Sequence, residues 1–103
     1  MNNKLLSLLG MCRRAGKLTV GYEKTLEQLQ KRKLCAALVA ADTAPRTEKE
    51  LRFHAKETIP VLRIAQTKEE LSHAIGTAAG VVGITDQGFA KQTILLSQGG
   101  TTV

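Results

Sequence analysis

Residues 34–41, LCAALVAA, form an unbroken apolar run. A run this short and this uniform reads as a strand covered on both faces, because a half-exposed strand would alternate polar and apolar positions. Such a strand needs a layer above it and a layer below, and the flanking segments supply them. Leu5, Leu8, Leu9 and Cys12 recur at helical spacing, with Asn2 or Asn3 able to cap the start and Gly16 to stop the helix, which is expected over 3–15. Leu18-Thr19-Val20 is a short extended piece. Gly21 then turns the chain into a second helix with Tyr22, Leu26 and Leu29 inward.

Beyond the central run, Thr47-Glu48-Lys49-Glu50 and Thr67-Lys68-Glu69-Glu70 both have the form of capping boxes. The first is expected to open a helix burying Leu51 and Ala55, the second one burying Leu71, Ala74 and Ile75. Pro60 to Ile64 reads as a strand with proline at its first position, where no ladder donor is lost. Val81 to Ile84 is a further strand, and Asp86 can cap a last helix carrying Phe89, Ala90, Ile94 and Leu95 inward. Alternating helices and short apolar strands predict an α/β protein, a three-layer α/β/α sandwich around a mixed sheet of mostly four strands. One domain is expected over residues 1–98, with 99–103 a frayed tail.

The chain has 103 residues, 43% hydrophobic and 23% charged, a mix that can bury one core. No apolar run approaches the ~20 residues of a membrane span, and the first residues lack the apolar stretch and cleavage site of a secretory signal. Two isolated cysteines, Cys12 and Cys35, make no disulfide framework, so a reduced, cytoplasmic protein is expected.

Charge is distributed unevenly. Residues 1–33 hold eight basic and two acidic side chains, whereas residues 34–103 hold seven of each, so the whole net charge of +6 lies in the first third. Asymmetry of this kind favours a polyanion approaching one side. The expectation is a continuous cationic patch around the entrance to the second helix, built from Arg13, Arg14, Lys17, Lys24 and Lys31–Lys33. Gly21 at that helix start exposes backbone N–H groups and the positive end of the helix dipole, which favour an anion.

Catalytic material is sparse. Gly10 to Leu18 resembles a P-loop only superficially, with five residues between its glycines and Leu18 where a magnesium-binding Ser or Thr is required. His54 and His73 are not in metal-ligand spacing with any cysteine, and Asp42 and Asp86 sit at turns rather than as a carboxylate pair. Nothing supports an enzyme, a metal or a cofactor. With three aromatic residues, Tyr22, Phe53 and Phe89, the chain is also poor material for a module that stacks bases on a sheet surface.

Gly16 to Leu26 (GKLTVGYEKTL), Ala36 to Asp42 (AALVAAD), Leu71 to Gly76 (LSHAIG) and Val82 to Ala90 (VGITDQGFA) together resemble the kink-turn-binding family of ribosomal proteins, the L-seven-Ae and L-thirty-e type, in its bacterial YlxQ-like branch. The resemblance covers about residues 3–97. It implies an α/β/α sandwich and a structured RNA partner, ribosomal RNA foremost, bent sharply beside sheared G·A pairs; neither DNA nor membrane is implied. It points to Gly21, Glu23, Lys24 and Glu27, and to the loop Gly76-Thr77-Ala78-Ala79, as RNA-binding, with Arg13, Arg14, Lys17 and Lys31 adding charge. Lys24 could meet guanine O6 and N7, and the small residues 77–79 could pack under an extruded nucleotide or simply make a tight connection. Glu23 and Glu27 depart from the family pattern. A carboxylate repels phosphate and accepts only from base amino groups, so a protein-interaction adaptor on the same scaffold is the alternative.

Overall fold

The computed structural model describes residues 4–98. Nine elements follow one another: α1 (Lys4–Arg14), β1 (Leu18–Val20), α2 (Tyr22–Gln30), β2 (Ala36–Val39), α3 (Pro45–Ala55), β3 (Val61–Arg63), α4 (Lys68–Ile75), β4 (Val81–Ile84) and α5 (Gln87–Gln98). The sheet runs β1-β4-β2-β3, with β2 parallel to β3 and β4 antiparallel to both β1 and β2.

The apolar run is a two-sided strand, as its composition requires. Ala36, Leu38 and Ala40 face the layer of α1, α4 and α5, where Leu5, Leu9, Leu71 and Ile75 meet them. Ala37 and Val39 face α2 and α3, against Leu29, Leu51 and Ala55. Regular pairing is confined to four of the eight residues; Leu34 and Cys35 lead in, and Ala40 and Ala41 bond outward to the carbonyls of Gly80 and Gln66. The expected three-layer α/β/α sandwich with a four-stranded mixed sheet is the architecture observed.

On the α2 side the sheet is approached very closely. A Cβ at Gly83 would lie 2.6 Å from both Leu34 Cδ1 and Thr19 Oγ1 and 3.1 Å from Thr25 Cγ2. Glycine in the middle of β4 therefore lets α2 settle onto the strand, and the buried Thr25 hydroxyl finds its partner in Thr19, 2.9 Å away.

Two local expectations are corrected. The helix α3 starts at Pro45 with Ala44 as its N-cap, so Thr47 to Glu50 is not a capping box. Proline at N1 is already set for the helix, and the Glu48 carboxylate is taken by Arg52 and Arg63 instead. The Thr67–Glu70 box is present, with each side chain bonded to the other's backbone N–H. In α5, Leu95 is 64% exposed; the inward stripe is Phe89, Ala90, Thr93 and Leu96. Asp86 does cap this helix, accepting from Phe89 N–H at 2.9 Å. The expected caps Asn2 and Asn3 and the tail 99–103 lie outside the described residues.

Candidate nucleic-acid interface

Strand direction decides which loops meet. Since β1, β2 and β3 all run opposite to β4, the segments leaving those three strands gather at one end of the sheet with the segment entering β4. Gly21 lies in the first of these segments and Gly76–Gly80 in the last. The Gly21 N–H donates to the Val81 carbonyl at 2.8 Å, extending the β1–β4 ladder by one bond and holding the two segments side by side.

The loop before β4 is tied down on several sides. Ser72 Oγ bonds both the N–H and the carbonyl of Ala79, at 3.0 and 3.3 Å. The Gly80 carbonyl accepts from Ala40 N–H at 2.9 Å and from Thr43 Oγ1 at 3.1 Å. Gly76, at φ +82°, ends α4 in the left-handed conformation. Arg13 Nη1 donates to the Ile75 carbonyl at 2.7 Å, so this guanidinium caps the carboxyl end of α4 at the root of the loop. Between them, residues 40–43 are braced by Arg63, whose Nη1 reaches the carbonyls of Ala40, Ala41 and Thr43. Asp42 accepts from the N–H of Lys68, the first residue of α4, at 2.8 Å.

The entrance to α2 is shaped by Gly21, at φ +98° and ψ 158°, a region essentially reserved for glycine. It offers no side-chain cap, and the first intrahelical bond runs from Thr25 N–H to the Gly21 carbonyl. The N–H groups of Tyr22, Glu23 and Lys24 have no acceptor within the helix. Glu23, Lys24 and Glu27 are exposed on the outer face while Thr25 and Leu29 are buried beneath. Glu27 pairs with Lys31 at 3.2 Å, both largely solvated. From Lys24 to Lys31 this stripe extends about 10 Å along the helix.

The expected single cationic patch is divided. Lys17 precedes β1 at the opposite end from Gly21, where its carbonyl accepts from Thr85 N–H and Oγ1. Lys31, Arg32 and Lys33 lie at that far end too, since the chain enters β2 immediately afterwards; Arg32 bonds the Ala55 carbonyl and Thr58. Arg14 lines a groove between α1 and α4 with Met11 and His73. The strand β1 and the helix α2 each carry the chain the length of the sheet, so charges close in sequence finish at opposite ends. Gly21 and the loop Gly76-Thr77-Ala78-Ala79 share one end of the sheet, Arg13 reaches the root of that loop at Ile75, and Lys24, Glu27 and Lys31 run away along α2.

Sequence reasoning missed Arg63, Thr43 and Ser72. Each acts across the fold on a backbone group, and only Arg63, the last residue of a strand, carried a faint signal. Among the described residues no group of three or more His, Cys, Asp or Glu is arranged to hold a metal, and no helix is long and apolar enough to cross a membrane.

A profile of the Ribosomal protein L7Ae/L30e/S12e/Gadd45 family matches residues 3–94. The chain is 33% identical over 97 residues to the RNA-binding protein YlxQ of Enterococcus faecium, covering 93% of each. Its fold is similar to that of a Bacillus halodurans protein of unknown function, with a TM-score of 0.87 and 29% identity over 94% of this chain and 99% of that one. It is also similar to the Giardia lamblia 15.5kD RNA binding protein, with a TM-score of 0.76 over 96% and 92% of the two chains; at 19% identity this is a likeness of fold.

Proposed function

This chain belongs to the ribosomal protein L7Ae/L30e/S12e/Gadd45 family, and from that premise we propose that it is a non-catalytic RNA-binding protein recognising a sharply bent, kink-turn-like RNA. Ribosomal RNA, in translation or ribosome assembly, is the proposed partner, and the cytoplasm, suited to two free thiols, the proposed setting. The observation that carries the reading is the Gly21 N–H to Val81 carbonyl bond, which sets the bare start of α2 beside residues 76–80. A bent RNA fits that pair of features: phosphate oxygens or base edges meet the open N–H groups of α2, and a displaced nucleotide rests on Thr77-Ala78-Ala79. Lys24 reads a base edge or holds a phosphate, and Lys31 continues the contact along the helix. Arg13 acts by fixing the loop, while Arg14, in the groove between α1 and α4, and Lys17, at the far end of the sheet, add only long-range attraction.

Titration against a kink-turn RNA, a straight duplex and a single strand at several salt concentrations tests the proposal. Preference for the bent RNA is expected, with affinity falling as salt rises. Equal, feeble binding to all three would remove it. Lys24→Ala should weaken the bent RNA more than the duplex if Lys24 reads a base, and both equally if it touches phosphate.

A second reading, the protein adaptor, is favoured by Glu23, an exposed carboxylate in the first turn of α2 with no ion-pair partner among the described residues. Affinity purification with and without nuclease separates the two readings. Partners that survive nuclease favour the adaptor.

A further inference from the structure

Two of the three aromatic residues of the chain converge on one surface feature. Tyr22 at the start of α2 and Phe53 on α3 line an open depression of about 700 Å³, together with Arg46, Lys49, Glu50 and His54. Phe53 is 74% exposed, which is unusual for a side chain that gains so much from burial. The His54 ring meets it edge to face at 5.3 Å and 85°, steadying the phenyl group without covering it.

We propose that this depression is a stacking subsite for an unpaired nucleobase, Phe53 offering its ring face while Arg46 and Lys49 hold the flanking phosphates. The inference rests on the RNA-binding reading and extends it to nucleotides outside the bent stem. Charge selects the occupant. Arg46 and Lys49 are exposed, and the single acid, Glu50, is engaged by the Tyr22 hydroxyl at 3.0 Å and by Arg46 at 3.9 Å. A cationic rim around a bare aromatic ring suits a polyanionic strand with flat apolar bases. Position agrees: Tyr22 directly follows Gly21, so a strand leaving the start of α2 crosses Tyr22 and reaches Phe53 next. Glu50 is left able to accept from a base amino group.

The test compares a blunt kink-turn RNA with the same RNA carrying a short unpaired extension that contains a fluorescent adenine analogue. The wild-type protein should bind the extended form about tenfold more tightly and quench the analogue. Phe53→Ala and Phe53→Leu should abolish that advantage and Phe53→Tyr should keep it, with affinity for the blunt RNA and the melting temperature unchanged in all three. Equal wild-type affinity for the two RNAs, or an advantage that survives Phe53→Ala, overturns the subsite while leaving the recognition of bent RNA intact. Failure of the blunt RNA to outcompete a straight duplex overturns both.

Discussion

Arg63 and Glu48 are joined across the rim of the sheet, Nε of the one lying 2.8 Å from Oε1 of the other. Glu48 is further held by Arg52 through Nε and Nη2, at 2.9 and 2.7 Å. The second edge of the Arg63 guanidinium is spent on the three carbonyls of residues 40–43, the segment that supports Gly80. Replacing Arg63 by Met should leave those carbonyls and Glu48 short of donors and cost about 1–3 kcal/mol in urea unfolding. Arg63→Lys should recover little, because one ammonium cannot reproduce a planar fork. Faster amide exchange at Ala40 and Thr43 would report the loosened segment.

Acid should dismantle the same cluster. Partial burial alone would raise the Glu48 carboxyl, but hydrogen bonds from Arg52 and Arg63, and then their charges, outweigh it and hold the group below the usual carboxylate range. A carboxyl that binds its proton less readily folded than unfolded stabilises the protein above the unfolded value, and that contribution is lost as pH falls through the folded one. Urea midpoints measured from neutral to strongly acidic pH should therefore fall less steeply for Glu48→Gln than for the wild type.

Gly83→Ala should be costly although it adds only a methyl group. The new Cβ would meet Leu34, Thr19 and Thr25 at once, in the middle of the sheet. Overpacking of this kind costs about 1–3 kcal/mol, read as a lower urea midpoint with an unchanged slope.

Gly21→Ala isolates backbone strain, since nothing lies within 4 Å of the added Cβ. Holding alanine at φ +98° should cost about 1–3 kcal/mol or shift the first turn of α2. On the proposed function, affinity for the bent RNA drops more than affinity for a straight duplex, because only the former depends on the geometry of that turn.

The two thiols should react in a fixed order. Cys12 is buried, donates to the Lys17 carbonyl at 3.3 Å, and is pushed up to about 11 by burial and then by the negative charge of Asp86. Near pH 8 it has almost no thiolate, so alkylation should follow the unfolding rate. Cys35 is half-buried and should be labelled first, as mapped by peptide mass spectrometry.

What could be read from the residues was whatever depends on neighbours in the chain. LCAALVAA announced a strand buried on both sides, and the Thr67–Glu70 box lies where its pattern demands. The phase of α5 is not legible locally, because Ile94 and Leu95 are adjacent apolar residues that no local rule separates; Leu96, with Thr93 behind it, is what packs inward. Thr47–Glu50 misled because a capping pattern says nothing about Pro45 just upstream. At the candidate site, Gly21 and residues 76–79 were named from motif resemblance, and their adjacency arises from strand pairing between residues far apart in sequence. The division of the cationic residues followed from the same cause: sequence proximity measures distance along the chain, and β1 and α2 spend that distance traversing the molecule.

The bond between Gly21 and Val81 ties the two rim segments to one antiparallel strand pair, Val20 facing Val82. Their spacing is thus set before any ligand arrives and changes only if the sheet itself opens. On the proposed function, an RNA strand laid across both would meet a mould already set by strand pairing rather than a hand that closes.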